Sequence, residues 1–200
     1  MAIIAPRFSY ERLRAVALAF LKQHHRSGEL PVPIEHIVEL KLKLDIVPVH
    51  GLQEEFDVDA FITNDLREIR VDEFVQQQRN HRYRFSLAHE VSHLIIHRDL
   101  FRQLAFSTIE EWKKSMNSIP ADAYRWIEWQ ANSLGGLLLV PGVPLKGLFE
   151  DKVAQARNAK VRIGDLGDSE KKIVESGLTR YFVVSQEVIA RRMEYDKLWK

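Results

Sequence analysis

The chain has 200 residues, of which 46% are hydrophobic and 28% charged, values typical of one folded globular domain that exclude disordered and fibrous proteins. Its formal net charge of +1 is too small to draw the whole protein to nucleic acid or to an anionic membrane. The chain contains no cysteine, which excludes disulfide bonds, thiol catalysis and cysteine-ligated metal sites. Histidine and carboxylate side chains are therefore the remaining candidates for metal ligands.

One apolar run near the N-terminus, at residues 15–21, has the composition of a targeting signal. A secretory signal would continue into a cleavage site of small residues, whereas this run continues into Lys22, Gln23 and His24. No stretch approaches the ~18 apolar residues that a membrane span requires. We therefore expect an amphipathic first helix over residues 9–27, capped by Ser9, in a cytoplasmic protein that does not contact a membrane.

The next segment has the features of a short helix followed by a small sheet. Pro33 is typical of a helix start and predicts a helix over residues 33–42. Apolar runs at 46–49, 60–63 and 69–71 predict strands, the last two joined by a turn as an antiparallel pair. These last two strands are also candidates for a sheet edge that holds an extended peptide by main-chain hydrogen bonds.

Two weaker features lie further along the chain. Residues 98–120 predict a loop or weak helix in which Ser107 and Glu110 fit a capping box. Residues 163–168 predict a loop-like break between helices.

Residues 89–93 match the pattern H-E-x-x-H, within a predicted helix that has Ser86 as its N-cap and one apolar stripe. Residues four apart on a helix are rotated by about 40°, so the imidazoles of His89 and His93 reach one metal ion from the side away from the stripe. Glu90 lies beside them, where its carboxylate is suited to accept a proton from a metal-bound water. The alternative is a solvent-exposed polar face on an amphipathic helix that binds no metal.

A hydrolytic zinc site needs a third protein ligand. The metzincin pattern would place glycine at position 96 and histidine at position 99, but the chain has Ile96 and Asp99. His97 lies a full turn beyond His93 and is poorly placed to complete a tetrahedron, so we expect it to pack in the core or to hydrogen-bond a ligand. A carboxylate on another helix is the remaining choice.

Glu128 fits that role. It lies on a helix predicted over residues 123–139, among bulky apolar neighbours, where an unpaired carboxylate would be costly to bury and where metal ligation would remove that cost. Asn132, one turn further, is suited to hydrogen-bond a ligand imidazole, and Gly135 permits a close approach of the two helices. The alternative for Glu128 is an exposed helix carboxylate beside Arg125.

Two stretches in this order, RFSLAHEVSHLIIH at 84–97 and IEWQANSLGGLLLVP at 127–141, resemble the ImmA/IrrE-type metallo-endopeptidases. The resemblance implies an α+β fold, with a zincin-like protease core in which a small, mainly antiparallel sheet packs on helices. It implies three metal ligands and a general base, which by position are His89, His93 and Glu128, and Glu90.

The resemblance also implies a cofactor and a partner. The metal is expected to be zinc, with manganese as a possibility. The partner is expected to be a protein substrate, typically a helix-turn-helix transcriptional repressor.

The C-terminal segment, residues 149–200, is charged and mostly helical by pattern. Its second half predicts two helices around a short turn with Ser185 as an N-cap, the spacing of a helix-turn-helix. We divide the chain into a zincin-like metallopeptidase core, residues 1–148, and this C-terminal segment packed on the core. Arg191 and Arg192 form the only paired basic spot on the last helix, which argues against direct nucleic-acid binding.

Three functions are therefore compared: a metal-dependent endopeptidase, a binding module that sequesters a repressor without cleaving it, and a DNA-binding regulator that uses the C-terminal helices. The intact Glu90 argues against the second, since a protein that does not cleave needs no general base. The pattern does not identify a donor for the oxyanion, and Tyr83, Tyr124 and His81 are candidates by proximity in sequence.

Overall fold

The computed structural model describes residues 6–104, 106, 108–158 and 167–199. The first helix, α1, spans Tyr10–His24. The Ser9 hydroxyl caps it, as predicted, by accepting a hydrogen bond from the backbone N–H of Arg12 (3.2 Å). Within the described ranges, no helix combines the length and the apolar character needed to cross a bilayer.

The predicted short helix and all three predicted strands are present. In chain order, the elements after α1 are helix α2 (Ile34–His36), which continues as a π-helical turn (Ile37–Lys41), strand β1 (Asp45–Val49), helix α3 (Leu52–Phe56), strands β2 (Ala60–Ile62) and β3 (Glu68–Asp72), and helix α4 (Glu73–Gln78).

The strands form one sheet in the order β1, β3, β2. β2 pairs antiparallel with β3, as predicted, but β1 pairs parallel with β3. The α+β class is confirmed, and the sheet is mixed, which corrects the mainly antiparallel arrangement expected. α3 and β2 lie between β1 and β3 in the chain, so the connection is long enough for a parallel crossover. Because β3 is the central strand, the predicted strand at 69–71 is not an edge that could receive a peptide.

Two long helices follow, α5 (Asn80–Ile96) and α8 (Ala121–Leu139), with the shorter helices α6 (Arg98–Gln103) and α7 (Ile109–Asn117) between them. The prediction of Ser86 as the N-cap of α5 is wrong, because the helix begins earlier and places Tyr83 in the core with 4% of its surface exposed. α7 is capped by Thr108, and Ser107 of the predicted capping box lies outside the described residues.

α5 is covered on both of its faces. It contacts β2 and β3 of the sheet and also contacts α8. Leu87 and Val91 of the apolar stripe are fully buried, and on the polar side only 6% of Glu90 and 3% of His93 are exposed. The alternative of a solvent-exposed polar face is therefore excluded, because α8 covers the face that carries the histidines.

The C-terminal part consists of α9 (Gly142–Asn158), α10 (Asp168–Phe182) and α11 (Gln186–Tyr195). Ser185 caps α11 as predicted, by accepting a hydrogen bond from the Val188 N–H (3.4 Å). Most of the predicted break at 163–168 lies outside the described residues. The boundary predicted between residues 148 and 149 falls within α9, and the division into two units stays a prediction.

Arg192 joins α11 to the rest of the molecule. Its guanidinium donates to the Val140 carbonyl (3.2 Å), to the Tyr10 hydroxyl and, in a two-bond pairing, to the Asp196 carboxylate (2.9 and 3.2 Å). The Tyr195 ring stacks on Tyr10, with ring centroids 4.2 Å apart. Because only 3% of Arg192 is exposed, the paired basic spot seen in the sequence is not available to a phosphate backbone.

Candidate metal centre

The candidate site lies where α5 and α8 pack against each other. α5 carries His89, Glu90 and His93, and α8 carries Glu128. The two helices are close at Gly135, where an added Cβ would lie 3.3 Å from the His89 backbone nitrogen. A larger residue there would push the helices apart, so glycine sets the distance across which the side chains meet.

Three donor groups converge on one point. The Nε2 atoms of His89 and His93 are 2.9 Å apart. The Glu128 carboxylate lies 3.3 Å from Nε2 of His89 and 3.6 Å from Nε2 of His93. The structure thus brings together the three residues that the sequence suggested as ligands, with Glu90 beside them.

The orientation of the imidazoles fits a divalent metal. Nδ1 of His89 lies 3.2 Å from the Asn132 side-chain oxygen, a contact that places a proton on Nδ1 and leaves Nε2 as the lone-pair donor. Burial lowers the pKa of His89, but hydrogen bonding and charge from Glu128 outweigh burial and raise it to about 9. Without a metal, His89 is therefore protonated and its positive charge lies beside Glu128. A bound cation would replace that proton and accept the lone pairs of His89, His93 and Glu128.

His97 does not point into this centre. Its Nδ1 lies 3.0 Å from Nδ1 of His93, on the side of that ring opposite the Glu128 contact. Burial lowers the pKa of His93 well below its usual value and that of His97 to about 4. Both rings are therefore neutral near pH 7, as a nitrogen ligand and its supporting hydrogen bond require. The expectation for His97 is that it packs in the core or hydrogen-bonds a ligand, and it is buried with its ring in hydrogen-bond contact with His93.

Glu90 lies beside the two histidines, with a carboxylate oxygen within 4.8 Å of a ring nitrogen of each. Its Oε2 accepts a hydrogen bond from the backbone N–H of Ile62 on β2 (2.9 Å). Burial raises the pKa of Glu90 to about 7, which suits a group that must both accept and release a proton near neutral pH. Sequence reasoning missed the contact with Ile62, since no local pattern links a main-chain N–H to a side chain on a different element.

A cavity of about 1250 Å³ opens onto Glu128. Its walls come from the start of α5, from α8 and from α11. Residues from these elements that face it include Phe85, Tyr124, Trp129, Asn132, Val188 and Tyr195. The sequence did not predict that the last helix lines the same space as Glu128, because that proximity depends on the packing of α11 against α8.

Of the three donors considered for the oxyanion, only two face the cavity. Tyr124 and His81 line it, whereas the Tyr83 hydroxyl donates a hydrogen bond to Glu35 on α2 (2.5 Å). Tyr83 is therefore engaged in holding α5 to α2 and is removed from the candidates.

The family model Peptidase_M78, described as the IrrE N-terminal-like domain, matches residues 55–194. The chain belongs to this family. The match includes α5, α8 and all the residues of the candidate site, and it confirms the resemblance noted in the sequence. The family model is that of a peptidase, and the cluster of His89, Glu90 and His93 is one that could hold a metal ion.

A Mycobacterium tuberculosis transcriptional regulator is a solved structure with a similar fold. The two share 14% sequence identity with a TM-score of 0.50, and the match covers 93% of this chain and 52% of the other. The chain thus spans about half the length of that protein, and the likeness concerns the fold. None of the curated proteins matches the chain significantly.

Proposed function

We propose that the protein is an endopeptidase that hydrolyses a peptide bond within a protein substrate, with His89, His93 and Glu128 as metal ligands and Glu90 as general base. The observation that carries the proposal is the convergence of two imidazole nitrogens and a carboxylate within 3.6 Å, beside a buried glutamate. Two histidines and one glutamate form the ligand set of the thermolysin type of zinc site, which leaves one position open.

Zinc is the metal we propose, with manganese as the alternative, since both accept imidazole and carboxylate ligands. When bound, such an ion supplies Lewis acidity, which lowers the pKa of a water molecule and polarises a carbonyl group. Asn132 orients the His89 ring so that its Nε2 faces Glu128, and His97 does the same for His93, so both Nε2 atoms would be available to hold the ion.

Glu90 performs the proton transfers in this proposal. The attacking water gives a proton to the Glu90 carboxylate as its oxygen bonds to the carbonyl carbon. The carboxyl group then passes that proton to the leaving amine as the peptide bond breaks. The Ile62 N–H steadies the carboxylate by a hydrogen bond to Oε2, so that the other oxygen remains available for the proton.

The cavity supports a peptide rather than a small metabolite as the substrate. Its volume of about 1250 Å³ exceeds the range of about 300–1000 Å³ typical of small-molecule sites. A cavity of this volume, lined by α5, α8 and α11, has room for an extended segment of several residues. An internal peptide bond of an exposed loop would satisfy this shape.

As the substrate we propose a helix-turn-helix transcriptional repressor. The support comes from the family, because ImmA/IrrE-type proteases act on such regulators. DNA binding by α10 and α11 is not proposed, because Arg192 is buried and Arg191 pairs with Glu187 on its own helix (2.7 Å).

Metal titration tests the ligand assignment. The chelator-stripped protein is titrated with zinc and manganese by calorimetry, as wild type and as His93→Ala and Glu128→Ala. We expect one site per chain in the wild type and affinity at least about tenfold weaker in each variant.

The matched controls for this titration are His36→Ala and Glu150→Ala, which replace an exposed histidine and an exposed glutamate that belong neither to the site nor to the cavity lining. Both should bind metal as the wild type does. A wild type that binds no metal, or a Glu128→Ala variant that binds as tightly as the wild type, would contradict the assignment.

Proteolysis is tested by identifying the new protein N-termini in cells that naturally produce this protein. We expect cleavage products of a helix-turn-helix regulator in cells that express the wild type and none with Glu90→Gln. A proteome without Glu90-dependent N-termini would remove the endopeptidase proposal.

A further inference from the structure

Tyr124 differs from the other tyrosines in the hydrogen bonding of its hydroxyl group. Each of the other tyrosines forms a side-chain hydrogen bond: Tyr10 with Arg192, Tyr83 with Glu35, Tyr181 with Arg180 and Tyr195 with Trp129. Within the described residues, the Tyr124 hydroxyl forms no hydrogen bond to the protein. A half-buried hydroxyl group without a protein partner is available to a ligand.

Tyr124 lies on the same helix and lines the same cavity as Glu128 of the candidate site. It lies on α8 four residues before Glu128, so both side chains extend from the same face of the helix. Both also line the cavity of about 1250 Å³. A peptide held in that cavity next to Glu128 would therefore meet the Tyr124 side chain.

The surroundings keep this hydroxyl protonated. Burial raises the pKa of Tyr124 to about 12, and the nearby carboxylates of Glu128 and Glu90 act in the same direction. At neutral pH the group is therefore a hydrogen-bond donor and not a phenolate.

We propose that Tyr124 is a catalytic residue whose hydroxyl donates a hydrogen bond to the oxyanion that forms when the scissile carbonyl is attacked. The inference rests on the proposed endopeptidase function. As the water oxygen bonds to the carbonyl carbon, the carbonyl electron pair moves to its oxygen and the water proton moves to Glu90. When that pair re-forms the carbonyl, the carbon–nitrogen bond breaks and the amine takes the proton from Glu90. Tyr124 keeps its own proton throughout.

A donor aimed at developing charge contributes more to the transition state than to the ground state. His81, the other candidate that lines the cavity, is exposed on the first turn of α5, where water competes for its hydrogen bonds. The partly buried Tyr124 is shielded from that competition, and its hydrogen bond to an anion is correspondingly stronger.

The experiment measures the binding of two probes to the zinc-loaded protein. N-phosphoryl-Ala-Ala carries a tetrahedral, anionic group that imitates the oxyanion, whereas acetohydroxamate binds zinc without such a group. Tyr124→Phe removes only the hydroxyl, and Tyr181→Phe, on α10 and outside the cavity, is the matched control.

We expect Tyr124→Phe to weaken binding of the phosphoryl probe by about tenfold or more. Its affinity for acetohydroxamate and for zinc should remain within about twofold of the wild type. Tyr181→Phe should bind both probes as the wild type does. A merely structural role of Tyr124 would change the affinities for zinc, for acetohydroxamate and for the phosphoryl probe together.

Two outcomes would overturn the inference while leaving the proposed function intact. The first is an unchanged affinity of Tyr124→Phe for the phosphoryl probe. The second is a zinc-loaded wild type that binds acetohydroxamate but not the phosphoryl probe. A wild type that binds neither zinc nor acetohydroxamate would instead overturn the proposed function.

Discussion

The surroundings of Glu90 shift the pKa of its carboxyl group in two opposite directions. Burial against the sheet favours the neutral acid, whereas the charge of His89 and the Ile62 N–H favour the anion. The result is a pKa of about 7, where a proton can be taken up and returned at little cost. A carboxylate on an exposed part of α5 would be too weak a base for this role.

The first prediction separates this role from metal binding. Glu90→Gln keeps an oxygen that can accept the Ile62 N–H but cannot take a proton. Cleavage of an identified substrate should fall by about 10²–10⁴-fold in kcat, while zinc affinity measured by calorimetry stays within about threefold. Equal losses of metal affinity and cleavage would show that Glu90 acts as a ligand and not as a base.

The second prediction concerns the pH dependence of metal uptake. Metal-free His89 has a pKa of about 9, so it is protonated at pH 7 and must lose that proton to bind metal. Affinity should therefore rise about tenfold per pH unit from pH 7 and level off near pH 9, because the competing proton is lost as the pH rises through the pKa.

Calorimetry in two buffers of different ionisation enthalpy counts the protons released. About one proton per zinc is expected at pH 7, because His93 is already neutral and contributes none. A zinc affinity that does not change between pH 6.5 and 8.5 would contradict the expectation that His89 must lose a proton to bind metal.

At the scale of elements, the sequence predicts the parts of the site that depend on local pattern. The spacing of His89 and His93 and the apolar neighbours of Glu128 are properties of single helices, and the structure brings these three side chains together. The parallel pairing of β1 with β3 and the contact between Ile62 and Glu90 depend on packing between distant segments. The periodicity of apolar residues and the secondary-structure propensities of single segments do not specify which distant segments pack together.

The third prediction tests the packing of α8 on α5. Gly135→Ala places a Cβ 3.3 Å from the backbone nitrogen of His89, a group that cannot rotate away. The helices must separate, which we expect to cost about 1–3 kcal/mol of unfolding free energy and to weaken zinc binding by displacing Glu128.

Gly136→Ala is the control from the same helix. Its added Cβ would lie 3.5 Å from the flexible Arg192 side chain, an ordinary contact, and alanine favours the helix by about 0.5–1 kcal/mol over glycine. Urea unfolding should show the first variant destabilised and the second unchanged or stabilised. Equal effects would mean that Gly135 does not set the distance between the helices.

At the scale of the whole molecule, the C-terminal helices are connected to the core by α11. Arg192 connects this helix to α1 through Tyr10 and to the end of α8 through Val140. The same helix forms one wall of the cavity. The stability of α11 and the shape of the space next to Glu128 are therefore linked.

The last prediction compares the two adjacent arginines of α11. Arg192 is buried, and its removal leaves the Tyr10 hydroxyl and the Val140 carbonyl without their donor and Asp196 without its two-bond partner. Loss of one member of a buried ion pair costs about 3–5 kcal/mol. Arg191 forms an exposed pair with Glu187, a kind of interaction that contributes about 0.2–1 kcal/mol.

Urea unfolding of Arg192→Ala and Arg191→Ala should therefore differ by at least about 2 kcal/mol, from the difference between these ranges. The cavity wall should loosen only in the first variant, which hydrogen exchange at the amides of α11 would detect as faster exchange. If both variants unfold like the wild type, Arg192 does not fasten α11 to the core. If both substitutions instead weaken binding to duplex DNA by similar factors without loss of stability, both side chains must reach phosphate. That result would support the helix-turn-helix interpretation of the C-terminal segment.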